Sequence, residues 1–382
     1  MAVLWRWMVA LAVGGMAVAV LAVQPAETGQ DRPEDAPLAL ALRPALAAGA
    51  VPVIAVLALN EGTETTDFLV PHAVLRQAGV GRVEAVAPRA GPVVLMPALQ
   101  VEVARSFAAF DAAYPEGADI VVVPALHTDD DPLVLAWLRA QATKGAVVVG
   151  ICAGARVLGQ AGLLDGRRFT GHWYDRSTLL RRHAGAVHVP GRRYVADGPI
   201  VTTTGGSASL PVSLAIVEAL AGAGRARVVA AELGLPSWGD AHRSGLFGLG
   251  AAHLWTLSVN TVLFWRHERV DIPVAELGDD VALAWAADAW SRTYRSRAQA
   301  VHAGASSVQL RSGLVLRTVP PDAAAVPVLL DAAVRPACVL DHSLRAIGQR
   351  YGAATRRWVA TQLEYDDEGP AGACPDAQGG LL

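Results

Sequence analysis

Residues 147–173 read VVVGICAGARVLGQAGLLDGRRFTGHW, and this stretch decides the fold that we predict. An apolar run typical of a buried strand stops at Gly150, Cys152 follows two positions later, and a helical pattern begins at once. Small residues around a cysteine suit the tight turn by which a strand–turn–helix element presents a nucleophile. The N–H groups and dipole of the helix N-terminus favour a thiolate. We therefore expect a reactive Cys152 with a pKa below about 8.5; the alternative is an inert core cysteine.

Three segments carry a resemblance to a known family. The stretch above resembles the nucleophile elbow of the ThiJ/PfpI superfamily, which has the class I glutamine amidotransferase-like fold, and is most similar to the amidase-like domain of some AraC-type regulators. Residues 60–71, NEGTETTDFLVP, resemble the segment that carries the family's acid, here Asp67. Residues 197–220 resemble its last strand, glycine loop and closing helix. The resemblance covers residues 51–222 and implies a doubly wound, flavodoxin-like α/β sandwich with a mainly parallel sheet.

The same resemblance implies a small set of site residues. Cys152 is the expected nucleophile, Asp67 is its acidic partner, and His172 is the first choice for a base. The positions expected to bind a ligand lie after two strands and in the glycine loop: Ala125, Leu126, Ala153, Gly205, Gly206 and Ser207.

The sequence departs from the family pattern where catalysis depends on it. Ala125-Leu126 stands where members commonly have a glycine pair that supplies an oxyanion donor. Ala153 stands where the peptidase-like members have histidine, and no His-x-Glu sequence follows to complete an amidotransferase triad. A protonated Asp67 can still hydrogen-bond a thiolate. The sequence therefore favours a small-molecule or redox sensing or binding protein with weak or no turnover. The alternative is a cysteine-dependent hydrolase, hydratase or lyase acting on a small carbonyl, amide or isocyanide-like substrate.

Composition limits the partners and cofactors. The chain has 382 residues, of which 18% are charged, and a formal net charge of −3, so it shows no basic footprint for nucleic acid. Three cysteines are too few for a zinc site or a disulfide framework, and unlinked Cys338 and Cys374 are favoured over a bridge. Residues 129–131 predict a helix N-cap rather than a calcium site. No metal or cofactor is implied. A small-molecule ligand is the expected partner, and a homodimer is left open.

Residues 4–23 predict attachment to a membrane. No charged residue lies between Met8 and Val23, and Arg6 precedes them. Because no clean A-x-A cleavage site follows, an uncleaved signal anchor is favoured over a removed signal peptide. The positive-inside rule weakly favours an extracytoplasmic domain. The expectation is a single N-terminal span; the alternative is a secreted or periplasmic protein after cleavage.

The rest of the chain is divided by composition and pattern. The uncharged stretch 246–265 has the length of a span, but its glycines and polar residues favour a buried helix. Residues 299–314 align with 84–99, which predicts a truncated second copy of the first half of the domain; chance similarity is the alternative. Residues 344–362 are the one candidate helix-turn-helix and look like a single short element, so a transcription regulator ranks last. The predicted segments are an anchor or signal peptide (1–24), a linker (25–50), the ThiJ/PfpI-like domain (51–222), a helical or half-repeat region (223–368) and a disordered tail (369–382).

Overall fold

The computed structural model describes residues 38–47, 49–366 and 374. The predicted anchor at residues 4–23 lies outside the described residues. The described residues fall within one compact unit, so the regions before and after residue 222 belong to the same body.

The strands of the described chain follow in order. They are β1 (Val53–Leu57), β2 (Thr63–Glu64), β3 (Arg82–Ala87), β4 (Gly91–Met96), β5 (Gln100–Val103), β6 (Arg105–Ser106), β7 (Ile120–Val123), β8 (Val147–Gly150), β9 (Arg168–Phe169), β10 (Val187–His188), β11 (Tyr194–Asp197), β12 (Ile200–Thr203), β13 (Glu268–Pro273), β14 (Ser296–Val301), β15 (Ser307–Gln309), β16 (Val315–Arg317) and β17 (Val326–Pro327).

The α-helices are interleaved with these strands. They are α1 (Pro44–Ala47), α2 (Thr65–Ala78), α3 (Phe107–Ala113), α4 (Pro132–Thr143), α5 (Gly154–Gln160), α6 (Arg176–Arg182), α7 (Ser209–Leu233), α8 (Ala251–Val262), α9 (Asp280–Ser291), α10 (Val339–Tyr351) and α11 (Ala353–Leu363). The predicted N-cap before α4 is confirmed, because the Asp131 side chain accepts from the N–H groups of Leu133 and Val134.

A seven-stranded sheet in the order β11-β12-β8-β7-β1-β3-β6 forms the centre of the unit. Every neighbouring pair is parallel except β11 with β12. Ile54 and Val56 of β1 face one apolar core, and Ala55 and Leu57 face the other. Alternation between two cores is what a sheet covered on both faces requires. The predicted α/β fold with a mainly parallel sheet is confirmed.

The order of the elements agrees with the predicted internal repeat. The elements β1, α2, β3, β4 and β5 recur in the same order as β13, α9, β14, β15 and β16. The hairpins share a register: Val93 pairs with Val101, and Val308 pairs with Leu316, which are the positions 215 residues later. We call residues 53–103 the first copy and residues 268–317 the half copy.

The prediction of a buried helix at residues 246–265 is wrong about burial. Helix α8 buries its polar residues Thr256 and Asn260, whereas Trp255 is 73% exposed. The Asn260 side chain donates to the Thr293 carbonyl and the Thr355 hydroxyl, so the polar side of the helix holds neighbouring backbone in place. Sequence apolarity alone does not reveal which side of a helix a domain covers.

One helix of the described residues is long and apolar enough to cross a membrane by composition, Gly206–Leu233. Within its most apolar window 61% of the residues are buried, and the backbone at Gly222 leaves helical geometry with φ of 80° and ψ of 163°. This segment is therefore a core helix, interrupted where the sequence predicted the end of the domain.

Two predictions for the C-terminal region need correction. Residues 344–362 belong to two helices, α10 and α11, joined at Gly352, rather than to one short element. Cys338 and Cys374 form a disulfide with a Cα–Cα distance of 5.4 Å, where the sequence favoured unlinked thiols. Separation along the chain carries no information about this distance, since the fold brings the two residues together.

Candidate functional site

Cys152 lies on a sharp turn between β8 and α5. Its φ is 53°, a left-handed conformation that is uncommon for a residue with a side chain. The backbone N–H of Cys152 donates to the Thr203 hydroxyl at 3.2 Å. Two residues on, a Cβ at Gly154 would lie 2.1 Å from the Val123 carbonyl oxygen, so only glycine fits there. The geometry of the predicted elbow is therefore present.

Asp67 lies in the first turn of α2, close to the carboxyl end of the central sheet, and is fully buried. Its carboxylate accepts from the Ala125 N–H at 3.2 Å and from the Ser209 hydroxyl at 3.1 Å. Burial raises the pKa of Asp67 to about 6, against the opposing effects of these hydrogen bonds and of Arg292. The Ala125 N–H, the backbone donor expected for an oxyanion, thus donates to Asp67 instead.

The sequence did not predict a buried cluster of Glu64, Asp288 and Arg292 that contacts the backbone of Asp67. Glu64 caps α2, and its carboxylate accepts from the Asp67 N–H at 2.6 Å. Arg292, at the end of α9, donates to Glu64 and to Asp288, both at 2.6 Å. Asp288 in turn accepts from the Thr66 hydroxyl at 2.8 Å. Burial raises the pKa of Glu64 well above its usual range, and the Asp288 and Asp67 carboxylates add to the effect.

The thiol of Cys152 lies in the field of this cluster. Burial raises the pKa of the thiol well above its usual range, and the carboxylates of Asp67, Glu64 and Asp175 raise it further. Arg292 acts in the opposite direction. The expectation of a lowered pKa is therefore wrong, because burial and three carboxylates raise the pKa of the thiol.

His172 is turned towards the C-terminal region of the chain. Its Nε2 lies 3.0 Å from the carbonyl oxygen of Gln362, and burial lowers the pKa of the imidazole to about 4. A nitrogen facing a carbonyl must carry the proton, so Nε2 acts as a donor here. Within the described chain no hydrogen bond joins His172 to Cys152. The structure therefore gives His172 no geometric role as the base.

The predicted glycine loop is covered by the end of α11. The N–H groups of Gly205 and Trp173 donate to the Glu364 carboxylate, and the Ser207 hydroxyl donates to the Glu364 carbonyl at 2.7 Å. Glu364 is only 3% exposed, and burial raises its pKa to about 7. A Cβ on Gly206 would lie 3.6 Å from an Asp67 oxygen, so the loop separates Glu364 from the acid of the site.

The other predicted ligand positions lie at the edge of the same region. Ala153 is half-buried, and its carbonyl accepts from the Arg156 N–H at 2.9 Å as part of the turn into α5. Leu126 is half-buried and forms an isolated bridge with Thr63. The structure thus brings Cys152, Asp67, Ala125 and Gly206 into one neighbourhood.

Local sequence held a signal for one of the missed residues. Glu64 stands three positions before Asp67, ahead of an apolar run, which is the spacing of a helix N-cap. Arg292 and Glu364 reach the site from 228 and 159 residues away along the chain, respectively, and no local pattern marks them. The described residues contain no group of three or more His, Cys, Asp or Glu side chains placed to hold a metal ion.

An elbow cysteine next to a buried acid, on a mainly parallel α/β sheet, defines the class of domain. Residues 53–219 match the model of the DJ-1/PfpI family, and this part of the chain is a DJ-1/PfpI family domain. The family suggested by the sequence motifs is therefore confirmed.

Similar proteins include an enzyme, a regulator and a DJ-1 protein. Isonitrile hydratase of Pseudomonas putida is 36% identical over 104 residues, which is 27% of this chain and 44% of that protein. The HTH-type transcriptional regulator CdhR of Pseudomonas aeruginosa is 36% identical over 86 residues, 22% of this chain and 25% of the regulator. Protein dj-1beta of Drosophila melanogaster is 27% identical over 181 residues, 46% of this chain and 94% of that protein. The chain thus spans less than half the length of the first two relatives.

The crystal structure of Drosophila melanogaster DJ-1beta is similar to this chain, with a TM-score of 0.44 and 26% identity. The match covers 49% of this chain and 99% of the DJ-1beta chain. A THiJ/PfpI family protein from Pseudomonas syringae has a TM-score of 0.43 and 24% identity, over 48% of this chain and 74% of that one.

Proposed function

We propose that this chain is a small-molecule sensing or binding protein with Cys152 at its site and with weak or no turnover. The observation that carries the proposal is the hydrogen bond from the Ala125 N–H to Asp67. A hydrolase of this family type needs a free donor for the developing oxyanion, and loss of one such donor typically costs about 100- to 1000-fold in rate.

Two further observations support low turnover. The raised pKa of Cys152 leaves little thiolate at neutral pH, and the thiolate is the reactive form. His172 is held by the Gln362 carbonyl, and a missing general base typically costs about 100-fold or more. Sensing through oxidation of Cys152 also requires the thiolate, so we expect peroxide to react slowly at neutral pH and faster at alkaline pH.

A cysteine-dependent hydratase is the second candidate. The observation in its favour is the 36% identity to isonitrile hydratase over 104 residues. In that case a bound substrate displaces Asp67 from the Ala125 N–H and accepts the hydrogen bond from that N–H in its place.

The two candidates are separated by assaying the purified protein. Small isonitriles, esters, amides and aldehydes serve as substrates, and Cys152→Ala is the control variant. We expect no turnover above that of Cys152→Ala, together with ligand-induced shifts in melting temperature in a small-molecule screen. Robust turnover that is lost in Cys152→Ala would select the hydratase or hydrolase instead.

We further propose that residues 4–23 attach the protein to a membrane with the domain on the extracytoplasmic side; the support is the uncharged run from Met8 to Val23 and the Arg6 that precedes it. Alkaline carbonate should leave the full chain in the membrane pellet. A reporter fused after residue 40 should be active only as an extracytoplasmic enzyme. Release by carbonate contradicts a span, and cytoplasmic reporter activity contradicts the orientation.

A further inference from the structure

We infer that the half copy takes the place of a partner subunit and that Arg292 is the residue it contributes to the Cys152 site. The inference goes beyond the proposed function, since it concerns how the site is completed whether or not the protein turns over a substrate. It rests on the symmetry of the contact, on the charges across it, and on the position of Arg292.

The contact between the copies has the form of a twofold interface. In such an interface equivalent elements meet, and residues on the axis face their own equivalents. Strands β5 and β16, which are equivalent, pair antiparallel, and Val101 lies opposite Leu316, its equivalent in the half copy. The equivalent helices α2 and α9 are joined by the hydrogen bond from Thr66 to Asp288. The first copy is therefore packed against a copy of itself within one chain.

Charges near the axis favour the internal copy over a second chain. Glu102 and Arg317 occupy equivalent positions and form an ion pair at 2.6 Å. Two first copies meeting in the same way would bring one Glu102 towards the other. Like charges facing each other across paired strands are destabilising, whereas opposite charges contribute favourably. This surface is thus complementary to the half copy and not to itself.

Arg292 is where the contact reaches the site. It is held by Asp288 of its own copy and donates to Glu64, which in turn accepts from the backbone of Asp67. No cation from the first copy forms an ion pair with Glu64 within the described chain. Without the half copy, Glu64 and Asp67 would be buried acids with no paired cation behind them. Arg292 is therefore a positioning residue that acts on Cys152 through these two carboxyl groups.

The first experiment tests the placement by disulfide trapping in the full chain with Cys152→Ala. The double variant Glu102→Cys/Val315→Cys, at positions that lie directly opposite each other across β5 and β16, should form a bond within one chain when oxidised. The single variant Val101→Cys, at the position nearest the axis, detects contact between two chains and should give no covalent dimer. A covalent dimer of the single variant, or failure of the double variant to close within one chain, would overturn the placement.

The second experiment tests the contribution of Arg292 through the pH dependence of Cys152 alkylation. The groups that face the thiol are Asp67, Glu64, Asp175 and Arg292. In Arg292→Gln the alkylation midpoint should rise by about one pH unit, which is about tenfold less thiolate at a fixed pH. Arg292→Lys keeps the charge and should stay close to the unaltered protein. Arg311→Gln removes an exposed arginine of the half copy and serves as control.

Circular dichroism confirms that each variant is folded before its alkylation is measured. An unchanged midpoint in folded Arg292→Gln overturns the contribution of Arg292. If Arg292→Gln does not fold, the Lys variant decides: a midpoint equal to that of the unaltered protein supports a role of the charge, and a midpoint raised by a full unit contradicts it. Neither readout depends on turnover, so failure here is distinguishable from failure of the proposed function.

Discussion

The first copy and the half copy begin their helices in the same way. In the first copy the Glu64 carboxylate caps α2 and accepts from the Asp67 N–H. In the half copy Asp279, the equivalent residue, caps α9 and accepts from the Ala282 N–H at 2.9 Å. The position that carries Asp67 in one copy therefore carries Ala282 in the other. Both helices thus begin with a capped first turn, and only the first copy places an acid at the third helical position.

Each cap also has an arginine partner, in a different environment. Arg292 reaches Glu64 with a side chain that is 21% exposed, and Glu64 itself is 8% exposed. Arg311 reaches Asp279 with a side chain that is 59% exposed. Water screens the second pair much more than the first, so the same pair type should have different energies in the two copies.

The largest expected effect comes from breaking the buried pair. Arg292→Ala leaves the Glu64 and Asp288 carboxylates buried without their cation, which should lower the free energy of unfolding by about 3–5 kcal/mol. Arg311→Ala is the matched control and should cost about 0–1 kcal/mol. Urea unfolding of both variants measures the difference. Equal losses of unfolding free energy in the two variants would show that burial does not make the Arg292 pair more important for stability than the Arg311 pair.

The second effect concerns Glu364, which follows α11 and covers the glycine loop. Burial raises the pKa of Glu364 from 4.5 to about 7, so the folded state binds a proton that the unfolded state has released. Stability should therefore fall as pH rises from 4.5 to 7, by about 1.4 kcal/mol per pH unit from this group.

Replacing Glu364 with Gln should remove that part of the pH dependence. Urea unfolding at several pH values measures the slope, and Glu232→Gln on the exposed side of α7 is the control. If the pH dependence of stability is unchanged in Glu364→Gln, the Glu364 carboxyl group has the same pKa in the folded and the unfolded protein.

The third effect separates the acids of the two copies. Burial raises the pKa of both Asp67 and Asp280 from 3.8 to about 6, so each should reduce stability as pH rises through that window, by about 1.4 kcal/mol per pH unit. Asn at either position should flatten the slope there. Only Asp67→Asn should also lower the pKa of Cys152, because Asp67 faces the thiol. Iodoacetamide alkylation against pH measures this; an equal shift in Asp280→Asn contradicts the assignment.

The smallest effect tests the shared cap. Asp279→Ala removes the acceptor for the Ala282 N–H and should cost about 1 kcal/mol, the usual value for a lost N-cap. Thermal unfolding is sufficient to detect it. Glu64→Ala should cost more, since it also removes the partner of Arg292; a cost no larger than that of Asp279→Ala would argue against the difference between the copies.

The sequence predicted what local patterns encode. The apolar runs of β1, β7 and β8 and the small residues around Cys152 follow from the period or conformation of the backbone, and each was found. The environment of the thiol was not predictable, because its pKa depends on Glu64 and Arg292 together, and Arg292 is brought in by tertiary packing. The exposure of α8 was missed for the same reason: Asn260 finds its partners at residues 293 and 355.

Joining the half copy to the first copy changes how this contact can evolve. In a dimer of identical chains a substitution appears on both sides of the axis at once, so a new residue near the axis must be compatible with its own copy across the interface. Here Glu102 and Arg317 are separate positions of one gene and can vary one at a time. One copy can thus retain Asp67 while the other holds Ala282, and selection on the site acts on a single acid. The fused arrangement lets one half carry Cys152 and Asp67 while the other half supplies packing and Arg292.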